Sequence, residues 1–177
     1  MVEISNIHLS NLSPIKPKIF NDNRGYFFEY YKSSKFKKWG LPKFVQDNVS
    51  VSKKNVIRGL HFQHTPHSQG KLVIVLKGKI FDVAVDIRPG SETFGNHVSF
   101  ILDSEEHKCF YIPEGFAHGF CSLADDTIVL YKNTSEYNPS SEGGIIWNDP
   151  DLAIEWPSSN PIISPKDSSF KRLNQIF

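Results

Sequence analysis

Short segments rich in apolar and β-branched residues recur up to residue 132, and turn signals separate them about every ten residues. Such segments predict strands, because half-buried pleated positions favour these residue types. The predicted strands are residues 15–20, 26–31, 44–52, 56–62, 71–76, 79–87, 97–102, 109–112, 119–123 and 127–132. Many short strands at this spacing predict an all-β fold, either a sandwich or a jelly roll.

Helices are predicted to be few and short. Residues 33–39 are the one good helix candidate, since the segment starts with serine and is followed by Gly40 and Pro42. A polar turn at residues 21–25 joins the first two strands and predicts a hairpin. Beyond residue 133 the chain is rich in Pro, Ser, Asn and Gly, and we expect it to wrap the body as loops.

Length, charge and cysteine content narrow the possible classes of protein. With 177 residues, the chain suits a single domain over residues 1–177. A net charge of +1 gives no electrostatic basis for binding nucleic acid or a membrane surface. Cys109 and Cys121 form neither a disulfide framework nor a zinc pattern, which predicts a reducing, cytoplasmic setting. Residues 1–17 lack the features of a signal peptide, and no window is long enough to cross a bilayer.

Residues 58–63 read Arg-Gly-Leu-His-Phe-Gln and are the most informative run for function. They place His61 inside a strand, while Lys71 begins the next strand after a short polar loop. We expect the two strands to pair and to bring both side chains into one cavity. A base that titrates near neutrality beside a cation suits proton abstraction next to a ketone. A buried histidine with satisfied hydrogen bonds beside a surface lysine is the alternative.

Arg58 and His61 have opposite parity, so a regular strand would point them to opposite faces of the sheet. Gly59 lies between them and can support a β-bulge that shifts the alternation. If both side chains line one site, the sequence therefore predicts a bulge at Gly59.

Residues 112–120 form a second informative run, in which a Pro- and Gly-containing turn precedes His118. If His118 lies at the same barrel mouth as His61, the two runs resemble the two halves of a cupin. Many cupins bind a metal through two histidines one residue apart, a glutamate and a later histidine. Here Gln63 replaces the second histidine and Lys71 replaces the glutamate, so no metal site is predicted.

From about residue 20 to residue 167, the chain resembles the dTDP-4-dehydrorhamnose 3,5-epimerase family. The matching stretches are residues 22–29, 46–48, 58–63, 69–72, 81–88, 112–120, 130–132, 140–143, 147–149 and 164–167. Each stretch alone is weak evidence for the family, but the occurrence of all of them in the same order is specific for it. The resemblance implies a cupin-type jelly roll and an epimerase that needs no cofactor. It also implies a homodimer, because sites in this family borrow residues from the neighbouring subunit.

The family substrate is a nucleotide sugar whose C4 ketone acidifies the hydrogens on C3 and C5. The resemblance implies that His61 is the base and that Asp167 binds the other nitrogen of its ring. Lys71 would lie near the enolate oxygen, and Tyr131 would be the acid on the opposite face of the sugar. His118 would contact the substrate.

The resemblance also implies a set of residues for the nucleotide. Arginine forks suit phosphate oxygens, amides and carboxylates suit the base and ribose, and aromatic rings suit stacking on thymine. The implied residues are Arg24 and Arg58 for the diphosphate, Glu142 and Lys166 nearer the sugar and phosphates, Glu29, Gln46 and Asn48 around thymidine, and Phe20 and Tyr137 against the thymine ring.

Each of these residues also has an ordinary structural interpretation. Arg24 is in a turn and could simply be solvated, and Tyr131 could belong to the core. Asp167 could begin a helix at residues 168–170. Gln46 and Asn48 share a parity opposite to the apolar residues of their strand and could face solvent.

Two other functions remain open from the sequence. One is a sibling epimerase that inverts only C3 or only C5 of a related 4-keto-6-deoxy sugar with the same residues. The other is a jelly roll that binds a sugar without catalysis, which the set of His61, Lys71, Tyr131 and Asp167 argues against.

Overall fold

The computed structural model describes Leu9 and residues 12–177. The strands are β1 Ile19–Asp22, β2 Gly25–Phe28, β3 Gln46–Ser52, β4 Ile57–Gln63, β5 Lys71–Lys77, β6 Lys79–Asp86, β7 His97–Asp103, β8 Cys109–Ile112, β9 Phe116–Ser122, β10 Thr127–Asn133 and β11 Glu142–Gly144. The helices are α1 Ser33–Lys38 and α2 Pro165–Ser168, with 3-10 turns at Pro139–Ser141 and Leu173–Gln175. The predicted all-β fold with a few short helices is confirmed. The prediction that residues 1–17 lack a signal peptide falls largely outside the described residues.

The strands form a hairpin and two larger antiparallel sheets. β1 pairs with β2, the front sheet has the order β3-β10-β5-β8, and the back sheet has the order β11-β4-β9-β6-β7. The expected pairing of β4 with β5 is wrong. β4 pairs with β9 and β11, whereas β5 pairs with β10 and β8, so the loop between them crosses from the back sheet to the front sheet.

Apolar side chains fill both faces of the back sheet. On the inner face, Ile80 and Ala84 pack between the sheets with Val73 and Val129 of the front sheet. On the outer face, Val83 and Val85 pack with Ile145, Leu152 and Leu173 from the C-terminal segment. The expectation that this segment wraps the body is confirmed. Both faces of β6 are buried, so alternate residues of this strand belong to two different hydrophobic clusters.

β11 was not predicted, because its three residues include two glycines and show no apolar alternation. It pairs with β4, with Glu142 opposite Gln63 and Gly144 opposite His61. This pairing extends the back sheet and brings the Glu142 side chain beside the residues of β4.

The bulge predicted at Gly59 is present. Arg58 lies opposite Phe120 and His61 lies opposite His118, so β4 contains one more residue than β9 over this stretch. Gly59 has a φ of +120°, a conformation that is strained for other residues. The bulge allows Arg58 and His61 to line the same cavity despite their opposite parity.

Replacing Gly59 by alanine is expected to lower the free energy of unfolding by about 3 kcal/mol, which denaturant titration would measure. A Cβ at this position would lie 2.5 Å from Cα of Gly119, so the two strands would have to separate. Gly25→Ala is the matched control, because Gly25 has a φ of +130° and no atom within 4 Å of the added Cβ. Equal losses in the two variants would contradict the role of this close approach.

Candidate active site

A cavity of about 280 Å³ lies between the front and back sheets. Side chains from both sheets and from the segment after β10 line it. Those that the sequence predicted are Asn48 of β3, Arg58 and His61 of β4, Lys71 of β5, His118 of β9, Tyr131 of β10, Tyr137, and Glu142 of β11. The fold therefore brings together most of the predicted site, although His61 and Lys71 reach it from opposite sheets.

His61 and Asp167 form a hydrogen-bonded pair at one wall of the cavity. Nε2 of His61 lies 2.8 Å from Oδ1 of Asp167, and Oδ2 of Asp167 accepts the Gly59 N–H at 3.1 Å. Burial opposes ionisation of Asp167, but the bonds from His61, Gly59 and Ser164 together lower the pKa of its carboxyl. An ionised carboxylate on Nε2 leaves Nδ1 of His61 as the nitrogen that can accept a proton.

Asp167 is held in place by α2. Ser164 caps this short helix, because its Oγ accepts the N–H of Asp167 at 3.0 Å. The alternative that Asp167 itself begins a helix is therefore wrong. The carboxylate is buried in the first turn and directed to β4, which fixes the orientation of the His61 ring.

Lys71 extends from the start of β5 toward β4. Its Nζ donates to the backbone carbonyl of His61 at 3.3 Å. Removal from water lowers the pKa of Lys71 to about 8, although the charges of Asp82 and Glu142 oppose this shift. The cavity therefore holds a cation that burial makes easier to neutralise than an exposed lysine.

Tyr131 approaches the cavity from the front sheet, opposite the wall that carries His61. Its Oη lies 2.8 Å from Oγ of Ser50, and its ring lies 6.1 Å from the His118 ring, measured between centroids. Burial raises the pKa of Tyr131, and the Ser50 hydroxyl partly offsets this effect. The phenol is therefore protonated at neutral pH and able to donate.

His118 is almost fully buried, and its Nε2 lies 2.7 Å from Oδ1 of Asp82 on β6. Burial lowers the pKa of His118, while Asp82 acts in the opposite direction. Sequence reasoning missed Asp82, and also Ser50. An acidic residue on the same parity as Ile80 and Ala84, inside an apolar strand, was the signal that could have found Asp82.

The mouth of the cavity carries a connected set of polar side chains. Tyr137 donates its backbone N–H to Gln46 at 2.8 Å and its hydroxyl to Glu142 at 2.9 Å. Nε2 of Gln46 donates to Asn48 at 3.0 Å, and Nζ of Lys166 pairs with Glu142 at 2.5 Å. The parity argument that placed Gln46 and Asn48 toward solvent is incomplete, because Asn48 lines the mouth.

Arg58 lines the same cavity and makes two hydrogen bonds to the front sheet. Its Nε donates to Ser52 Oγ at 3.0 Å, and its Nη2 donates to the Val51 carbonyl at 3.0 Å. Both acceptors belong to β3 of the front sheet, so the guanidinium spans the gap between the sheets.

Six predicted residues do not line the cavity. Gln46, Asp167 and Lys166 are hydrogen-bonded to side chains that do line it. The other three lie in or next to the β1–β2 hairpin. Phe20 and Arg24 belong to the β1–β2 hairpin, and Glu29 follows it directly. Arg24 is exposed and pairs with Asp22, its Nη2 lying 2.6 Å from Oδ2. Phe20 is 52% exposed. Their position outside this cavity is the arrangement expected if they serve the site of another subunit.

Within the described part of the chain, no group of three or more His, Cys, Asp or Glu side chains is arranged to hold a metal ion. The helices of residues 12–177 are also too short or too polar to cross a membrane.

The model of the dTDP-4-dehydrorhamnose 3,5-epimerase family matches residues 6–175 of the chain. A dTDP-4-dehydrorhamnose 3,5-epimerase from Salmonella typhimurium is 52% identical over 164 residues, which cover 91% of this chain and 90% of that protein. The crystal structure of RmlC, dTDP-6-deoxy-D-glucose-3,5-epimerase from Legionella pneumophila, in complex with dTDP-4-keto-L-rhamnose, has a TM-score of 0.91 at 48% identity. That match covers 97% of this chain and 93% of the Legionella chain.

A more distant structure has a different specificity. ChmJ, a 3'-monoepimerase from Streptomyces bikiniensis crystallised with dTDP-quinovose, has a TM-score of 0.88 at 32% identity. The match covers 95% of this chain and 86% of ChmJ. The fold alone therefore does not set the number of inverted carbons. The family model and the more similar proteins described above are all named as 3,5-epimerases. The chain belongs to the dTDP-4-dehydrorhamnose 3,5-epimerase family.

Proposed function

We propose that this chain inverts C3 and C5 of dTDP-4-dehydro-6-deoxy-D-glucose and so forms dTDP-4-dehydro-L-rhamnose. One observation carries the proposal: the His61–Asp167 pair and Tyr131 occupy opposite walls of one cavity that also contains Lys71. A base and an acid on opposite sides of a sugar ring are what inversion of a carbon next to a ketone requires.

The proposed reaction follows from the arrangement of these groups around the cavity. Nδ1 of His61 removes the hydrogen on C3 or C5 as a proton, and the electron pair moves onto the C4 oxygen as an enolate. Asp167 stabilises the imidazolium that forms. The Lys71 ammonium stabilises the enolate oxygen, and the Tyr131 phenol returns a proton to the opposite face of the carbon. Solvent then restores the phenol and the neutral imidazole.

The experiment that tests this function is product analysis by NMR after turnover in deuterated water. Deuterium with inversion at both C3 and C5 is the expected result. Label and inversion at one carbon would indicate a monoepimerase, the activity named for the ChmJ relative. An absence of exchange at high protein concentration would favour a binding module without catalysis.

The nucleotide end is proposed to bind at the polar mouth of the cavity. Arg58 offers guanidinium donors to the diphosphate, and His118 contacts the sugar from the cavity wall. The remaining residues form the rim around the nucleotide: Gln46 and Asn48 near thymidine, Glu142 and Lys166 near the sugar and phosphates, and Tyr137 against the thymine ring. The hydrogen bonds that join these side chains support a preorganised binding surface.

We propose that the protein is a homodimer in which the β1–β2 hairpin of one subunit completes the site of the other. Phe20, Arg24 and Glu29 would then reach the nucleotide of the partner. Two features support an interface. The edge strand β3 exposes Val49 and Val51, which are 61% and 59% accessible, and the hairpin exposes aromatic side chains.

A mixed dimer of Arg24→Ala and His61→Ala chains, isolated with two different tags, is expected to recover about half of wild-type activity. Each parent is expected to be strongly impaired, but a shared site leaves one of the two sites of the mixed dimer intact. The assay is epimerase turnover per dimer. A mixed dimer of His61→Ala and Tyr131→Phe chains is the matched control, because both substitutions lie in the same cavity and no site is complete. Recovery in neither mixture would contradict the shared site.

The pH dependence of activity is expected to show a fall as pH rises through about 8, because burial lowers the pKa of Lys71 to about 8. Below that pH the Lys71 side chain is protonated. Above it, Lys71 loses its proton, and with it the positive charge that faces the enolate. Lys71→Arg should move the fall to higher pH, since a guanidinium stays protonated. The measurement is kcat/KM against pH, and an unmoved limb in Lys71→Arg would assign it to another group.

We also propose that the reaction needs no metal and takes place in a reducing, cytoplasmic compartment. Lys71 supports the first point, because its ammonium supplies the positive charge that a metal would otherwise supply. Cys109 and Cys121 support the second point, since both are buried and free. Elemental analysis with a stoichiometric metal would contradict the metal-independent mechanism.

A further inference from the structure

Gln63 is the last residue of β4, and its side chain is buried beside the cavity. Nε2 of Gln63 donates to the carbonyl of His67 at 2.6 Å and to the carbonyl of Glu136 at 3.2 Å. Oε1 of Gln63 accepts the backbone N–H of Asn138 at 2.7 Å. Both hydrogens of the amide nitrogen are thus used, and the side chain joins the loop after β4 to the segment after β10.

The two bonds to the segment after β10 lie on either side of one residue, Tyr137. The carbonyl of Glu136 belongs to the peptide group before Tyr137, and the N–H of Asn138 belongs to the peptide group after it. The N–H of the first peptide group donates to Oε1 of Gln46 at 2.8 Å. Two glutamine side chains therefore bind three of the four polar groups in the peptide planes that flank Tyr137. These planes set the φ and ψ of Tyr137, and hence the direction of its side chain.

The bonds made by the two glutamines differ in their exposure to water. The bond from Tyr137 to Gln46 is exposed, so water can replace it. Gln63 is only 8% exposed, and without its amide partly buried backbone groups would lose their partners. The ring of Tyr137 is 51% exposed at the cavity mouth. Because few side chains can pack around such a ring, its direction depends on a fixed backbone, which Gln63 supplies.

We propose that Gln63 is a positioning residue for nucleotide recognition, which fixes the backbone on both sides of Tyr137 and so presents the ring of Tyr137 to thymine. Gln63 acts through Tyr137 and not by contact with the base. This inference rests on the proposed function, in which the Tyr137 ring lies against the thymine ring of the substrate.

A second glutamine provides a comparison for this role. Gln69 lies in the same loop as His67, and its Nε2 donates to the carbonyl of Ser135 at 2.7 Å. This bond also joins the loop to the segment after β10, but it holds neither peptide group that flanks Tyr137. Gln69→Met is therefore the matched control for Gln63→Met.

The test is Gln63→Met, which keeps the length of the side chain and removes its hydrogen bonds. The dissociation constant of dTDP, measured by calorimetry, is expected to rise about tenfold, the usual contribution of a base stacked on an aromatic ring. Inhibition by inorganic pyrophosphate, which has no base, should be nearly unchanged. Unchanged dTDP affinity, or an equal loss for pyrophosphate, would overturn the proposal.

A double-mutant cycle separates the positioning of Tyr137 from general damage to the protein. In a Tyr137→Ala background there is no ring to direct, so Gln63→Met should cause no further loss of dTDP affinity. Additive losses would overturn the proposal. The Gln69→Met control should bind dTDP like the wild type, and a loss equal to that of Gln63→Met would contradict a specific role for Gln63.

Steady-state kinetics provide a second readout. Gln63→Met should raise KM more than it lowers kcat, because the nucleotide is held less well while His61, Lys71 and Tyr131 are unchanged. A fall in kcat at constant KM would contradict a role in nucleotide recognition and would place Gln63 with the reacting groups.

Hydrogen exchange of the wild-type protein keeps the proposal testable if Gln63→Met does not fold. The backbone N–H of Asn138 should exchange with deuterated water more slowly than that of Ser140. The acceptor for Asn138 is the buried Gln63 side chain, whereas Ser140 donates to the Asn138 side chain in a bond that is exposed to solvent. Equal exchange of the two amides would overturn the proposal.

The binding and exchange measurements do not require turnover. A protein that shows the coupling between Gln63 and Tyr137 in dTDP binding but does not epimerise the sugar would contradict the proposed function and support this inference. An active epimerase in which the two substitutions have additive effects on dTDP binding would contradict this inference alone.

Discussion

The His61→Ala variant is expected to lose about 10²–10⁴-fold in kcat/KM, the usual contribution of a general base. Its exchange of sugar hydrogens with solvent deuterium should fall by a similar factor, because this exchange needs the same proton abstraction. Asp167 would remain in place but would have no imidazolium to stabilise. NMR of the substrate in deuterated water measures both rates in one experiment.

His64→Ala is the matched control for this variant. His64 lies close to His61 in sequence, but its ring packs against Phe62 and Phe177 and does not line the cavity. Its removal should leave the exchange rate close to that of the wild type. Full turnover by the His61→Ala variant would refute the assignment of His61 as the base.

The Tyr131→Phe variant is expected to separate the two halves of the reaction. Hydrogen exchange at C3 or C5 should continue, since His61, Asp167 and Lys71 are unchanged. Inversion should fall by about 10²–10⁴-fold, because no proton is delivered from the opposite wall. The measurement is product configuration against deuterium content over the same time course.

Tyr111→Phe provides the comparison, because Tyr111 is a buried tyrosine of β8 in the same front sheet and does not line the cavity. That variant should form product at close to the wild-type rate. Normal product formation by Tyr131→Phe would remove Tyr131 as the acid and would require a different donor on the front sheet.

The sequence predicted most of the individual strands, because period-two alternation and turn residues are local signals. β8 was predicted with the bounds it has in the structure, Cys109–Ile112. The bulge at Gly59 also followed from local information, since the opposite parity of Arg58 and His61 required an irregularity between them.

Strand partners could not be predicted in the same way. A short polar loop between β4 and β5 is compatible with a hairpin and with a crossing between sheets. The crossing forms because β4 pairs with β9 and β5 pairs with β10, and both of these partner strands are distant in sequence. β11 escaped detection because its pairing depends on backbone hydrogen bonds to β4 and not on its own side chains.

The site residues were predicted mainly through resemblance, and the limits of that route are visible in two places. Asp82 interacts with other protein groups and not with the cavity, so its importance emerges only from its burial and its bond to His118. Phe20, Arg24 and Glu29 do not line the cavity that contains His61, so their proposed roles depend on a second subunit and not on the fold of one chain.

The C-terminal segment has a consequence for the order in which the enzyme matures. It covers the outer face of the back sheet through Leu152 and Leu173, and the same segment carries Asp167 to His61. A nascent chain that has completed both sheets but not this segment would have its imidazole without a carboxylate. Catalytic competence would therefore arise only after the segment with Asp167 has left the ribosome and docked on the back sheet, and proteolytic cleavage in that segment would inactivate the enzyme.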